Sequence, residues 1–130
     1  MTDTKIPKLL LLDTDVEQIK RLLNDKALEN NQYCRMLREE VLKGKIVAKK
    51  QLPANVITMH SKIKVLDLED GDTSTYTLVY PWETDVDSGK ISIFAPIGTA
   101  LLGYRQNDII DWKVPGGIAK FKILEVNQPQ

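Results

Sequence analysis

The chain has 130 residues, 42% hydrophobic and 28% charged, a composition that fits one globular domain with a small appendage and excludes global disorder. Lys+Arg and Asp+Glu each number 18, so the formal net charge is zero and the strongly basic surface needed for non-specific nucleic-acid binding is not expected. Cys34 is the only cysteine, which excludes an intrachain disulfide and fits a reducing compartment.

Residues Met1 to Lys8 are polar and read as a loose end. The run Leu9–Leu12 is far shorter than the ~20 apolar residues of a membrane span, and Asp13 follows at once. It reads as an extended segment packed on a neighbour, in a cytoplasmic protein without membrane contact. Thr14-Asp15-Val16-Glu17 fits a capping box opening a helix, with Val16, Ile19, Leu22 and Leu23 on one face. Asn30-Asn31 interrupts and caps a second helix, where Tyr33, Leu37 and Val41 recur every four residues and Gly44 either ends the helix or weakens it. Arg35, Arg38, Glu39 and Glu40 are expected to face solvent. Two such helices across a short polar loop predict an antiparallel helical hairpin, an arm of about 15–20 Å at ~1.5 Å per residue.

Lys45 to Pro53 is basic and ends at a proline, as a linker does. The expected organisation is an arm over 1–47, a linker over 48–54 and a second domain over 55–130. Ile63 and Val65 alternate with lysines as a strand, Glu69-Asp70-Gly71-Asp72 reads as a hairpin turn, and Tyr76, Leu78 and Tyr80 form the inner face of the next strand. Pro81 to Gly89 is a long acidic loop carrying Trp82. Ile91 and Ile93 alternate as a strand, and Pro96 opens a short helix through Ala100 and Leu101, capped by Gly103. Asn107-Asp108 turns the chain into a strand with Ile110, Trp112 and Val114 alternating, and Pro115-Gly116-Gly117 reverses it into a last strand over Ile118–Ile123. The class is α+β, a mainly antiparallel curved sheet with one short helix.

Ala95-Pro96-Ile97, Ala100-Leu101-Leu102-Gly103 and Pro115-Gly116-Gly117 together resemble the C-terminal domain of the Gre-type transcription elongation factors. Val56-Ile57-Thr58-Met59, Thr77-Leu78-Val79-Tyr80-Pro81 and Gly98-Thr99-Ala100-Leu101-Leu102-Gly103 are similar to one branch of that superfamily, the Rnk type or regulators of nucleoside diphosphate kinase. The resemblance covers about Asn55 to Val126 most strongly. It implies an FKBP-like domain behind the helical hairpin, and RNA polymerase as the partner at or near its secondary channel. Nucleic acid would be met only through the polymerase, and the protein itself would act as a monomer.

The resemblance also points to two sets of residues. Ala95, Pro96 and Ile97 match the position where the family docks on the polymerase, with Ala95 replacing the family's serine and losing its hydroxyl. Asp25 and Glu29 lie at the tip of the arm, where longer-armed factors carry an acidic pair that helps hold a catalytic magnesium. Here the arm is shorter, the acids are four apart, and Lys26 stands beside Asp25. The expectation is a non-catalytic regulator without cofactor or metal, competing with Gre-type factors. The rivals are a cleavage-stimulating factor and, from fold analogy alone, a peptidyl-prolyl isomerase. The lone His60, the Asp85-x-Asp87-x-Gly89 loop and Cys34 form no catalytic or metal-binding pattern in the sequence.

Overall fold

The computed structural model describes residues 9–24, 31–114 and 116–129, and within them not the side chains of 33, 36, 40, 42 or 112–114. Strand β1 (Leu10–Leu12) runs directly into helix α1 (Asp13–Leu23), and α2 (Gln32–Lys43) leads past Gly44 into β2 (Lys45–Val47). The first two strands pair in parallel, Leu10 opposite Lys45 and Leu12 opposite Val47. Lys45 and Ile46, expected in a basic linking stretch, are therefore strand residues, because the β1 backbone needs a partner and this segment supplies it. One turn of 3-10 helix over Lys49–Gln51 follows.

The expected capping box is not formed. The residue preceding the helix is Leu12, which offers no side-chain cap, and Thr14 lies inside the first turn with its N–H donating to Asp13 Oδ1 at 2.7 Å. The pairing of β1 fixes where the chain can turn, so the helix starts two residues early. Glu17 instead meets Arg21 at 3.1 Å, one turn on. The second cap is as expected, with Asn31 Oδ1 accepting from Cys34 N at 3.1 Å. Val16, Ile19 and Leu23 of α1 and Cys34, Leu37 and Val41 of α2 are buried. Arg38, read as solvent-facing, turns back to donate to the Leu23 carbonyl at 2.6 Å, satisfying an orphan acceptor at the C-terminus of α1.

The main sheet contains β3 (Lys62–Asp67), β4 (Thr73–Val79), β5 (Lys90–Ser92), β6 (Ile109–Val114) and β7 (Gly117–Asn127), in the order β5-β4-β3-β7-β6. All neighbours are antiparallel except β4 and β5. The turn at Gly71, φ +78°, closes the β3–β4 hairpin as its sequence predicts. The last strand is longer than the alternation over Ile118–Ile123 suggests. Its second half pairs with β3, and a register shift opposite Lys64/Val65 lets it bend between its two partners. Trp112 stands opposite Ala119 in the β6–β7 register, and its side chain falls outside the described residues.

Helix α3 (Pro96–Leu101) packs against β6 and α2. One apolar core runs from Leu11, Ile19 and Leu37 through Ile57, Ile63, Leu78, Ile93 and Leu101 to Ile123. The helices of the N-terminal part therefore share their core with the sheet. Gly103, at φ +88°, sits where the two parts meet: its carbonyl accepts from Leu10 N at 3.3 Å, and its N–H donates to Ile57 O at 3.0 Å. A side chain there would be strained by φ and would press on Leu11.

Candidate docking surface

Ala95, Pro96 and Ile97 are brought together at the junction of β5 and α3, each partly exposed. Ala95 precedes the helix with φ −73° and ψ 152° and gives it no side-chain cap, while Pro96 occupies the first turn, where a missing N–H costs nothing. The turn that leads into the helix is closed by Ser92. Ser92 Oγ accepts from Phe94 N at 3.0 Å, and Ser92 O accepts from Ala95 N at 2.9 Å. Thr99, buried in α3, donates its hydroxyl to the Ile93 carbonyl at 2.7 Å. Gly98 lets the helix lie directly on the Ser92 carbonyl, which a Cβ at that position would strike. The surface of Ala95, Pro96 and Ile97 is thus held by a rigid, buried base.

The loop that packs beside β5 contributes a second group. Trp82 is 64% exposed and stacks on Tyr80, ring centroids 5.2 Å apart and 10° from parallel. His60 meets the Tyr80 ring edge-on at 5.6 Å, and its Nε2 lies 2.8 Å from Glu83 Oε1. The same carboxylate oxygen accepts from Tyr80 N at 3.1 Å. The hydrogen bond from His60 holds the Glu83 carboxyl below its ordinary range. Burial pushes the Tyr80 hydroxyl well up, so it stays protonated. Asp85 is held low by Ser88, whose hydroxyl donates to it at 2.8 Å. His60 adopts φ +69°, uncommon for a residue with a side chain, and its N–H donates to Leu78 O at 2.6 Å. This histidine holds a turn and a loop together. Among the described residues, no three of His, Cys, Asp and Glu converge as a metal site requires.

Next to His60, Met59 N donates to Asp15 Oδ2 at 3.0 Å, tying α1 to the turn that precedes β3. Burial raises the Asp15 carboxyl above its ordinary value, against the opposing pull of the Met59 hydrogen bond. Asp15 was legible only as part of a helix start, and no sequence signal links it to a residue 44 positions away. The tip acids Asp25 and Glu29 lie outside the described residues. Cys34 is buried in α2 against the shared core, and burial raises its thiol pKa, which disfavours the nucleophilic thiolate.

Comparison with known proteins bears on this geometry directly. Residues 52–128 match the family described as the C-terminal part of the transcription elongation factors GreA/GreB. Over 126 residues the chain is 35% identical to the regulator of nucleoside diphosphate kinase of Escherichia coli K12, covering 95% of this chain and 93% of that one. It is 40% identical over 92 residues to the transcription elongation factor GreA of Clostridioides difficile, covering 71% of this chain and 58% of that one. Among solved structures, a prokaryotic transcription elongation factor GreA/GreB from Nitrosomonas europaea superposes with a TM-score of 0.78 at 33% identity, over 95% of this chain and all of that one.

Proposed function

We propose, because this chain belongs to the GreA/GreB C-terminal family of transcription elongation factors, that it is a Rnk-type regulator that binds RNA polymerase at or near the secondary channel without stimulating transcript cleavage. In this reading, an FKBP-like domain docks through Ala95, Pro96 and Ile97, and α1 and α2 form a short helical hairpin beside it. The observation that supports the reading is the contrast between the closed base under Ala95, Pro96 and Ile97 and a pair of short helices. The base is built from Thr99, Gly98 and Ser92. The arm has helices of 11 and 12 residues, roughly 16–18 Å at ~1.5 Å per residue. A cleavage factor must bring carboxylates to about 2.0–2.1 Å from a magnesium ion, and an arm short by a turn or more fails to reach it while docked. The protein would then occupy the site of longer-armed factors and displace them.

Two measurements test this. Titration with core polymerase is expected to show binding that falls at least about tenfold in Pro96→Asp, with folding retained because the dipole tolerates an acid in the first helical turn. In backtracked complexes the protein alone is expected to stimulate no cleavage, and to inhibit a Gre factor until excess of that factor restores the full rate. Cleavage by the protein alone would make it a Gre-like cleavage factor instead. Inhibition that excess factor leaves in place would assign it a different binding site.

A further inference from the structure

A second surface lies away from the docking junction. A groove of about 500 Å³ is lined by all three residues of β2, with Leu10, Pro53 and Arg105 around them. Ile46 is 47% exposed on it, and Leu10, Val47 and Pro53 extend the apolar floor. Lys45 and Arg105 stand exposed among the lining residues, with Lys49 and Lys50 exposed on the turn that follows β2. Not one of these four cations has an ion pair among the described residues. The sequence around them is one-signed: between Glu40 and Asp67 there are lysines at 43, 45, 49, 50, 62 and 64 and no acid at all. Of these, Lys45, Lys49 and Lys50 lie on or just after β2, where Arg105 joins them, while Lys62 and Lys64 belong to β3 of the main sheet. Finally, β2 is an edge. Its only strand partner among the described residues is β1, so the other side of its backbone has no strand paired to it there.

We propose that this groove binds an extended, acidic and apolar segment of a partner protein, added alongside β2. Backbone pairing to the strand edge supplies register, Ile46 and its neighbours receive alternate apolar side chains, and the four cations neutralise the acids between them. Nucleic acid shares the negative charge but not the rest. No aromatic residue lines the groove to stack a base, and its floor is aliphatic. The first eight residues of the chain itself carry Lys5 and Lys8 against Asp3, the wrong sign for this site.

The test uses the full chain and a fluorescein-labelled ten-residue peptide alternating Glu or Asp with Val or Leu, followed by anisotropy. The peptide is expected to bind, to weaken steeply as salt is raised, and to bind at least about tenfold less tightly to Lys45→Glu/Arg105→Glu. A peptide with Ser for the apolar residues is expected to bind less tightly than the parent peptide, as is the parent peptide to Ile46→Ser. All three substitutions replace exposed side chains, and the salt titration of the unaltered chain reads the same electrostatics without any variant. The proposal is overturned by an absence of peptide binding, or by equal binding to the parent chain and the variants. Binding of a single-stranded 20-nucleotide probe in place of the peptide overturns it too, in favour of nucleic acid. A concentration-dependent dimer in sedimentation, abolished by the same variants, would instead assign the groove to the acidic Trp82 loop of a second copy.

Discussion

The β5–α3 junction and the α1–α2 pair are both made of short elements, yet they are held in opposite ways. The junction closes on itself. Ser92, Ile93, Phe94, Ala95 and Thr99 satisfy one another within a few residues, and Gly98 removes the one side chain that would push them apart. The helices are held from a distance: Arg38 reaches Leu23 across 15 positions, and Asp15 reaches Met59 across 44. A local closure costs little chain entropy and gives a surface of fixed shape. A distant tie can be loosened by one protonation or one substitution while the sheet stays intact. A surface of fixed shape thus stands beside helices whose placement depends on long-range ties and on the shared core.

Spoiling the junction is expected to cost the most stability. Gly98→Ala adds a Cβ against the Ser92 carbonyl, a backbone atom that cannot rotate away. Helix propensity favours Ala over Gly by ~0.8–1.0 kcal/mol, so a net loss means that the clash has won. Overpacking of this kind costs ~1–3 kcal/mol, and more where backbone must move. We expect a net loss of about 2–3 kcal/mol in a denaturant melt. Gly44→Ala is the matched control, since its Cβ would meet Leu11 Cδ1 at 2.5 Å and Leu11 Cγ at 2.8 Å, a buried side chain in place of a backbone carbonyl. We expect a loss of about 1 kcal/mol there. Equal losses at both sites would mean that the junction is no more rigid than the end of α2.

Next in size is the tie between α1 and the turn at Met59. Asp15→Ala leaves the N–H of Met59, itself 2% exposed, without its acceptor, and we expect a loss of about 1–2 kcal/mol. Asp15→Asn keeps an acceptor oxygen and should cost less. The pH dependence isolates the carboxyl itself. Because folding raises the Asp15 pKa, the folded state holds the proton more readily than the unfolded one. Its contribution is therefore fully present below the ordinary value of 3.8 and is lost as pH rises through the raised value. The Asn variant should lack this decline. Parallel stability-versus-pH curves for the parent chain and Asp15→Asn would show that Asp15 is not the group responsible.

These two sites also mark what the sequence could disclose. The junction was readable because its signals are local: a proline at a helix start, a glycine at its end, alternation on either side. The β3–β4 turn and the β6–β7 reversal were readable for the same reason. The parallel pairing of β1 with β2 was not, since three-residue strands carry too little pattern and parallel partners lie far apart in sequence. That pairing moved the start of α1 and cancelled the expected capping box. Arg38 and His60 were visible as residues, but their partners, the Leu23 carbonyl and Glu83, are set by tertiary approach alone. The choice of Ala95, Pro96 and Ile97 came from family resemblance, and nothing in periodicity would have singled them out.

The smallest expected effect is at Glu83, and it carries the opposite sign. His60 and the Tyr80 N–H both favour the ionised carboxylate, so the folded pKa lies below the ordinary 4.5. The stability that this adds is present above 4.5 and is lost as pH falls through the depressed value, the reverse of Asp15. The magnitude is small because His60 and Glu83 are 41% and 36% exposed at their side chains, and solvent screens the pair. We expect Glu83→Gln to cost under about 1 kcal/mol at neutral pH. Its more sensitive readout is Trp82, which stacks on Tyr80 immediately before the carboxylate that fixes the loop. If Glu83 positions that loop, the variant should change Trp82 fluorescence quenching by iodide at pH 7, with both proteins carrying Trp112→Phe so that Trp82 is the one tryptophan. In the parent chain, the same change should appear only as the solution is acidified below 4.5. Quenching that is identical in both proteins across that range would show that the tryptophan is held by its stack on Tyr80 alone, and that the loop shares the local rigidity of the junction beside it.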